Sequence, residues 1–310
     1  MINRRDLATG TAIAAAATWI GTAAGAQTVA PAQVMPPKGP WTKFGDLQRS
    51  GGKLHYAMIG NDVSRPPIVL LHKLGGWLSD WRFVAPLLAQ GRRVIAFDLP
   101  GHGGSRWLGT PPYIQSLGET AALLVGALDE LGIDRIDLLG TSLGGCVAVP
   151  LAAFWPERIN KLAIISSALG VRRSLAEIAI NVDEKQKALF DAAGNPIPTE
   201  PALLEQIFGM VHAAAINVDG IASRKAAGHW IQPSERGVAI TDIAGTLKRV
   251  AAPTLLVYGD RDKAYPKFRP AAEAALKHGR TAIVPNSGAF VMQDNPPATA
   301  AVLKTFLDEA

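Results

Sequence analysis

Residues 135–139, 140–144 and 145–154 read RIDLL, GTSLG and GCVAVPLAAF. The first stretch is a short apolar strand, the last an apolar helix, and Gly140-Thr141-Ser142-Leu143-Gly144 joins them. In that context G-x-S-x-G holds a serine on a tight turn with its hydroxyl exposed. The glycines let strand and helix approach closely, and the start of the helix brings N–H groups beside the reacting atom. Without strand and helix around it, the same pattern is an ordinary glycine/serine loop.

Working outward, strands alternate with helices. Phe44–Arg49 and Lys53–Ile59 flank Ser50-Gly51-Gly52, a hairpin signal. Ile68–Leu71 predicts a short strand, followed by a helix over Trp81–Ala89. Arg93–Phe97 is the next strand, and Leu117–Leu131 has helical apolar spacing. Lys161–Ser166, Thr254–Tyr258 and Thr281–Val284 are further strands. This alternation predicts an α/β chain with a mostly parallel sheet covered on both faces. Residues 170–248 lack a strand pattern and are broken by Asn195-Pro196-Ile197-Pro198. They predict a helical cap over the carboxyl edge of the sheet, inserted between core segments 41–169 and 249–310.

The chain has 310 residues, 48% hydrophobic and 18% charged, with formal net charge +5. That supports a large core and excludes a disordered chain. No Lys/Arg block marks a nucleic-acid face. The single cysteine, Cys146, excludes an internal disulfide. No cofactor motif and no metal-ligand set stands out, so the expected partner is a small-molecule substrate. Residues 1–26 read as an export signal: Arg4-Arg5 precedes an Ala-rich apolar run that ends at Ala24-Gly25-Ala26. The paired arginines resemble the twin-arginine type, which implies a periplasmic or secreted protein. The competing reading is a membrane anchor. Thr11, Thr18, Gly21 and Thr22 dilute the run, so no stable membrane association is expected after cleavage. Residues 27–40, with Pro31, Pro36, Pro37 and Pro40, read as a linker.

With the serine turn, three further segments resemble the α/β-hydrolase superfamily, over about Phe44 to Leu307. Ile68–His72 is similar to the strand and histidine that open its oxyanion loop. Phe97–Ser105 is similar to its D-x-P-G-H-G-x-S loop, and Gly259-Asp260-Arg261-Asp262 to its G-x-x-D. The resemblance implies an α/β-hydrolase fold with Ser142 as nucleophile and Asp262 as triad acid, Asp260 being the runner-up. It also implies the Leu74 and Leu143 amides as the oxyanion hole.

Two positions depart from that family, both at the chemistry. The block Pro285–Pro296 is similar to the family's G-H-F segment but carries Ala289 where the catalytic His belongs. Lys73 stands where the family has a glycine after the oxyanion-loop His. Alanine cannot take the serine proton, and losing the histidine of a triad costs about 10⁶-fold in turnover. A void or water beside Ala289, with Asp262 next to it, is the expected consequence.

Six histidines compete for the vacant role. His102 belongs to a structural loop, His55 to the opening strands, and His278 to the far edge of the sheet. His72 lies near the serine, and His212 and His229 are in the cap; His72 and His229 are the secondary candidates. Lys73 is the stronger one. As a neutral amine it would be a base for Ser142 or a Schiff-base nucleophile. Paired with Asp262 it would stay charged and stabilise an oxyanion or an anionic substrate. Trp77 and Trp81 are expected to line the pocket or pack below the cap. Ser287 and Asn286 are placed near the missing histidine, and Cys146 is read as a buried small residue.

Three functions follow. The first is an exported hydrolase for a small ester, lactone or β-diketone-like C–C bond. The second is a carbon–carbon lyase or aldolase-like enzyme using the Lys73 amine. The third is a catalytically inactive or engineered hydrolase-fold binding protein.

Overall fold

A computed structural model describes residues 39–184, 187–193 and 195–309. The export signal and all but the last residues of the linker lie outside them. Nine strands form one sheet: β1 (Lys43–Arg49), β2 (Gly52–Ile59), β3 (Ile68–Leu71), β4 (Val94–Phe97), β5 (Arg106–Trp107), β6 (Ile136–Thr141), β7 (Ile159–Ile165), β8 (Thr254–Gly259) and β9 (Gly279–Val284). Their order is β1-β2-β4-β3-β6-β7-β8-β9, with β5 beside β2. The β1–β2 hairpin is antiparallel and joins β4 antiparallel; from β4 to β9 every pair is parallel. This is the expected α/β-hydrolase architecture.

The apolar runs explain the core. All residues of β3, β4, β6 and β8 are buried. Strands covered on both faces need apolar residues at every position, not alternation. The helices Leu117–Glu130 and Leu143–Phe154 pack against each other, and the second lies on β6 and β7. Ser116 caps the first, accepting from the Glu119 N–H. One expected helix is corrected: instead of Trp81–Ala89 there is a 3₁₀ turn, Leu78–Trp81, then a single turn, Ala85–Leu88. Trp81 and Val84 point wholly into the core there, so tertiary packing overrides a continuous helix. Strand β5, two residues long, is too short to leave a sequence signal.

Strand order reverses between β3 and β6. Chain order runs from β3 outward to β4 on one side and from β3 to β6 on the other. In open α/β sheets this switch point opens a crevice beyond the carboxyl ends of the strands. Leu71 pairs with Gly140, so the loop after β3 and the Ser142 turn after β6 emerge side by side.

The insertion is helical, with Leu175–Ile178, Pro201–Phe208, Ala213–Ala227, Ile231–Ile240 and Ile243–Leu247. Pro201 starts its helix at the first turn, where proline is tolerated, and Gly209 ends it in a left-handed conformation. The insertion is pinned to the loop after β9. Asp294 accepts from the Val211, His212 and Gly288 N–H groups. The Ala289 N–H donates to the Phe208 carbonyl at 2.9 Å. Gly288 permits this approach, because a Cβ there would lie 2.5 Å from the Phe208 carbonyl oxygen.

Candidate active site

Ser142 stands at the end of β6 as the N-cap of the helix Leu143–Phe154, with φ 51° and ψ −111°. A non-glycine residue held there stores about 1–3 kcal/mol of strain, which the surroundings must enforce. They do so through two hydrogen bonds: Ser142 N–H to the Ile165 carbonyl at 3.0 Å, and Gly144 N–H to the His72 carbonyl at 2.9 Å. The second ties the serine turn to the loop after β3. It needs a glycine, since a Cβ on residue 144 would lie 2.4 Å from the Leu71 carbonyl oxygen. Leu74 and Leu143, whose amides were expected as the oxyanion hole, both line the cavity with Ser142.

The hydroxyl partner of Ser142 is a phenol. Tyr265 Oη lies 3.1 Å from Ser142 Oγ. The tyrosine is buried, and its ring stacks on Phe208 of the insertion, centroids 6.4 Å apart. Burial holds the phenol well above its ordinary range, against a lowering hydrogen bond with Ser142, and the charge of Asp262 adds to the rise. Tyr265 is therefore protonated at neutral pH: it can give or relay a proton but is no free base.

Asp262 is the buried acid of this region, but it serves the backbone. Its Oδ1 accepts from the Ala264 and Tyr265 N–H groups at 2.9 and 3.1 Å, and its Oδ2 from Ser166 Oγ at 2.8 Å. Burial raises its carboxyl pKa, and these bonds pull it back. Asp260, the runner-up, is exposed and accepts from the Ser287 N–H. The surroundings of Ala289 are closed by the cap. Ala289 is fully buried, its N–H goes to Phe208, and Phe208 and Phe290 rings meet at 5.3 Å. Ser287 Oγ turns away to the Pro285 carbonyl.

Lys73 lines the cavity, but its partner is neither Ser142 nor Asp262. Its Nζ donates to Asp80 Oδ1 at 2.6 Å and lies over the Phe290 ring, 5.3 Å from the centroid. Asp80 is fully buried, and its other oxygen has no hydrogen-bond partner. The Nζ is engaged by Asp80 and is directed to neither Ser142 nor Asp262. The base and Schiff-base readings of Lys73 are corrected on that ground.

The histidines offer no substitute. His72 Nε2 accepts from the Leu99 N–H at 2.9 Å, so Nδ1 carries the proton and donates to the Lys73 carbonyl at 2.7 Å. Burial pushes its pKa down to about 3, and with both nitrogens engaged it is not a base. His102 is likewise buried and pushed down to about 3, bonded to the Pro100 carbonyl. His229, His212 and His278 are exposed, and none of the three lines the cavity. His278 sits at the far edge, where its carbonyl accepts from Thr254 at the start of β8. His55 pairs with Asp46. Trp81 is core, whereas Trp77 reaches under the cap toward Asp219.

The cavity has a volume of about 180 Å³ and an apolar lining. Leu204, Ile207, Ile216, Ile231 and Val238 come from the insertion, and Cys146 and Ala168 from the core. Its charged lining is Lys73, Arg224 and Glu235. Burial pushes the Cys146 thiol up to about 12, leaving it an inert wall. A cavity of this size takes a compact organic molecule. Among the described residues no group of three or more His, Cys, Asp or Glu side chains has a metal-binding arrangement.

Tyr265, Asp80 and Asp294 were not singled out in the sequence. Only Tyr265 left a signal, an aromatic three residues after Asp262 on a loop facing the serine.

Comparison with known proteins agrees with the fold. The family described as alpha/beta hydrolase fold matches residues 66–296. A 2-hydroxy-6-oxononadienedioate/2-hydroxy-6-oxononatrienedioate hydrolase of Dechloromonas aromatica (strain RCB) is 28% identical over 251 residues, 72% of this chain and 78% of that protein. The dihydrolipoyllysine-residue acetyltransferase component of the acetoin cleaving system of Pseudomonas putida is 41% identical over 119 residues. That match covers 38% of this chain and 31% of the other, so the chain spans under a third of that relative. The crystal structure of an enol-lactonase from Burkholderia xenovorans LB400 superposes with a TM-score of 0.67 at 24% identity, covering 86% of this chain and 100% of that one.

Proposed function

The chain belongs to the alpha/beta hydrolase fold family, and from that premise we propose that it hydrolyses a small, mostly apolar carbonyl compound through Ser142 with Tyr265 as the proton relay. The substrate is an ester, a lactone or a β-diketone-like C–C bond. The observation that carries this is the 3.1 Å contact between Ser142 Oγ and Tyr265 Oη at an apolar cavity.

Ser142 Oγ attacks the carbonyl carbon and its proton passes to Tyr265 Oη. In the same step the Tyr265 proton passes to the departing oxygen or carbon. The phenol stays neutral, the acyl group sits on Ser142, and water reverses the sequence to release the acid. The charge on the carbonyl oxygen falls to the Leu74 and Leu143 amides. Asp262 holds the backbone turn that aims Tyr265, and the Lys73–Asp80 pair keeps the loop of Leu74 in place. Without an imidazole the serine is weakly activated, so activated esters are favoured.

The relative from Dechloromonas aromatica, a hydrolase of oxo-dienedioates by name, supports a carbonyl substrate. The Arg4-Arg5 segment supports export to the periplasm or beyond, tested by the N-terminal sequence of the protein recovered outside the cytoplasm.

The test is hydrolysis of p-nitrophenyl butyrate with mass spectrometry of the acylated chain. Acyl adduct on Ser142, absent from Ser142→Ala, is the expected result. A second reading, ligand binding without turnover, is favoured by the protonated state of Tyr265. Absence of adduct and turnover, with ligand binding retained, would put that reading first.

A further inference from the structure

The helix Ala213–Ala227 turns one face to the Ser142 cavity: Ile216, Asn217, Gly220, Ser223 and Arg224, at helical spacing, all line it. Gly220 is the gap in that face. Its own helix backbone and chain neighbours aside, a Cβ there would meet only Asn217 Oδ1, at 3.9 Å, among the described residues. Its backbone is ordinary helix, not left-handed. Gly144 and Gly288 have carbonyl oxygens pressed on them at 2.4 and 2.5 Å, whereas nothing presses on Gly220.

Glycine inside a helix is less stable than alanine, and packing among the described residues does not require it at 220. Gly126, in the helix Leu117–Glu130, is equally uncrowded but faces solvent. Gly220 differs in facing the cavity. The helix is also held against moving into the gap. Asp219, next in the chain, accepts from Arg82 Nη1 at 2.7 Å and from Trp77 Nε1 at 3.4 Å. Asn217 Nδ2 donates to the Thr199 carbonyl at 2.6 Å. Ser223 turns its hydroxyl to the Gly220 carbonyl at 3.1 Å and leaves the gap open.

We infer that Gly220 is a specificity-determining residue: it keeps a slot across the cavity face of this helix for the acyl arm of the substrate, an unbranched alkyl chain. Asn217 and Arg224 stand seven residues apart, about 10.5 Å along the helix axis. Their side chains narrow that interval from both ends, which suits a linear chain better than a bulky head. The assignment to the acyl arm follows from the two walls. Tyr265 protonates the departing group and so places it against the β8 wall. The helix crosses the other wall, where a Cβ on Gly75 of the loop after β3 would lie 3.0 Å from Arg224 Cγ. The inference rests on the Ser142 cavity being the substrate site and adds the form of the substrate.

The test compares the wild-type chain with Gly220→Ala, Gly220→Leu and the solvent-facing control Gly126→Leu. Two readouts are taken: kcat/KM for p-nitrophenyl acetate and hexanoate, and affinity for acetophenone and hexanophenone by isothermal titration calorimetry, which needs no turnover. Gly220→Leu should lower kcat/KM for the hexanoate at least about tenfold and leave the acetate within about twofold. Hexanophenone should weaken by a similar factor and acetophenone should not. Gly220→Ala should show a smaller shift of the same sign together with a higher Tm, since it removes a helix glycine without a clash. Gly126→Leu should change neither selectivity. An equal loss for short and long chains, no loss for the long ones, or a lower Tm in Gly220→Ala overturns the assignment; the alanine variant decides it if the leucine variant does not fold. Ketone selectivity that shifts as expected, with no ester turned over by the wild-type chain, supports the slot and overturns the hydrolytic reading alone. Failure of both ketones to bind and of both esters to react overturns the two together.

Discussion

The two walls of the Ser142 cavity are built on different terms. The wall from β3 and β6 is made by backbone: a strained serine, a glycine pressed on the Leu71 carbonyl, and a hydrogen bond from Gly144 to His72. The wall from β8 and β9 is made by side chains. There a phenol meets the serine, an acid braces the turn beneath it, and an alanine is covered by the cap. The first wall is set by backbone geometry, and its Ser142 turn follows the family, with Lys73 on the β3 loop as its departure. The second needs only a group that can reach Ser142, and Tyr265 reaches it from a different position of the chain than the family's histidine. A wall set by backbone geometry constrains a sequence more tightly than one set by side-chain contacts.

Four substitutions or conditions bear on this contrast. The largest effect is expected on the backbone wall. Gly144→Ala places a methyl against a carbonyl on a neighbouring strand and should cost about 4 kcal/mol or more, read from urea unfolding. A near-neutral result would show that the wall is plastic. Lys73→Met comes next. It leaves Asp80 buried and unpaired, which should cost about 3 kcal/mol. Replacing Asp80 by Leu in the same chain should recover most of the loss; no recovery would mean the pair is incidental.

The third is pH dependence. His72 and His102, on the backbone wall, are held at about 3 by burial. As pH falls through about 6.5 the unfolded chain takes up protons that the folded chain refuses. Their contribution is complete above that pH and is lost toward 3. Asp98, raised to about 6 by burial, and Asp262, also raised by burial, act in reverse, since the folded chain takes their protons first. The two imidazoles, shifted further, outweigh these carboxyls, so stability should fall between pH 7 and pH 5. Thermal unfolding across that range checks the sign, and a rise on acidification would refute it.

The smallest effect is expected at Ala289. The family resemblance puts the base there, yet Ala289→His alone should leave ester turnover within about twofold, because Tyr265 holds the serine hydroxyl and Phe208 covers the backbone. Paired with Tyr265→Ala, which clears the phenol, the same change should raise turnover. A gain from the single substitution would mean that the cap yields easily.

Much of this molecule was legible in its sequence. The apolar runs of β3, β4, β6 and β8 read as buried parallel strands because each lacks alternation, and the Ser142 turn read from its glycines. What was not legible depended on contacts across long separations. The Tyr265 hydroxyl meets Ser142 across 123 positions, and Phe208 of the insertion flanks its ring. Lys73 pairs with Asp80, seven residues on, where the chain folds back into the 3₁₀ turn Leu78–Trp81. Gly220 had no sequence signal beyond being a glycine in a helical stretch.

The account turns on the phenol beside the serine. The most direct measurement is kcat/KM for p-nitrophenyl butyrate in the wild-type chain and in Tyr265→Phe, which keeps the ring on Phe208 and removes only the hydroxyl. A proton relay through Tyr265 should make the variant about 100-fold slower, with unfolding unchanged. Equal rates in the two proteins would contradict it and leave Tyr265 as packing beside a serine activated by something else.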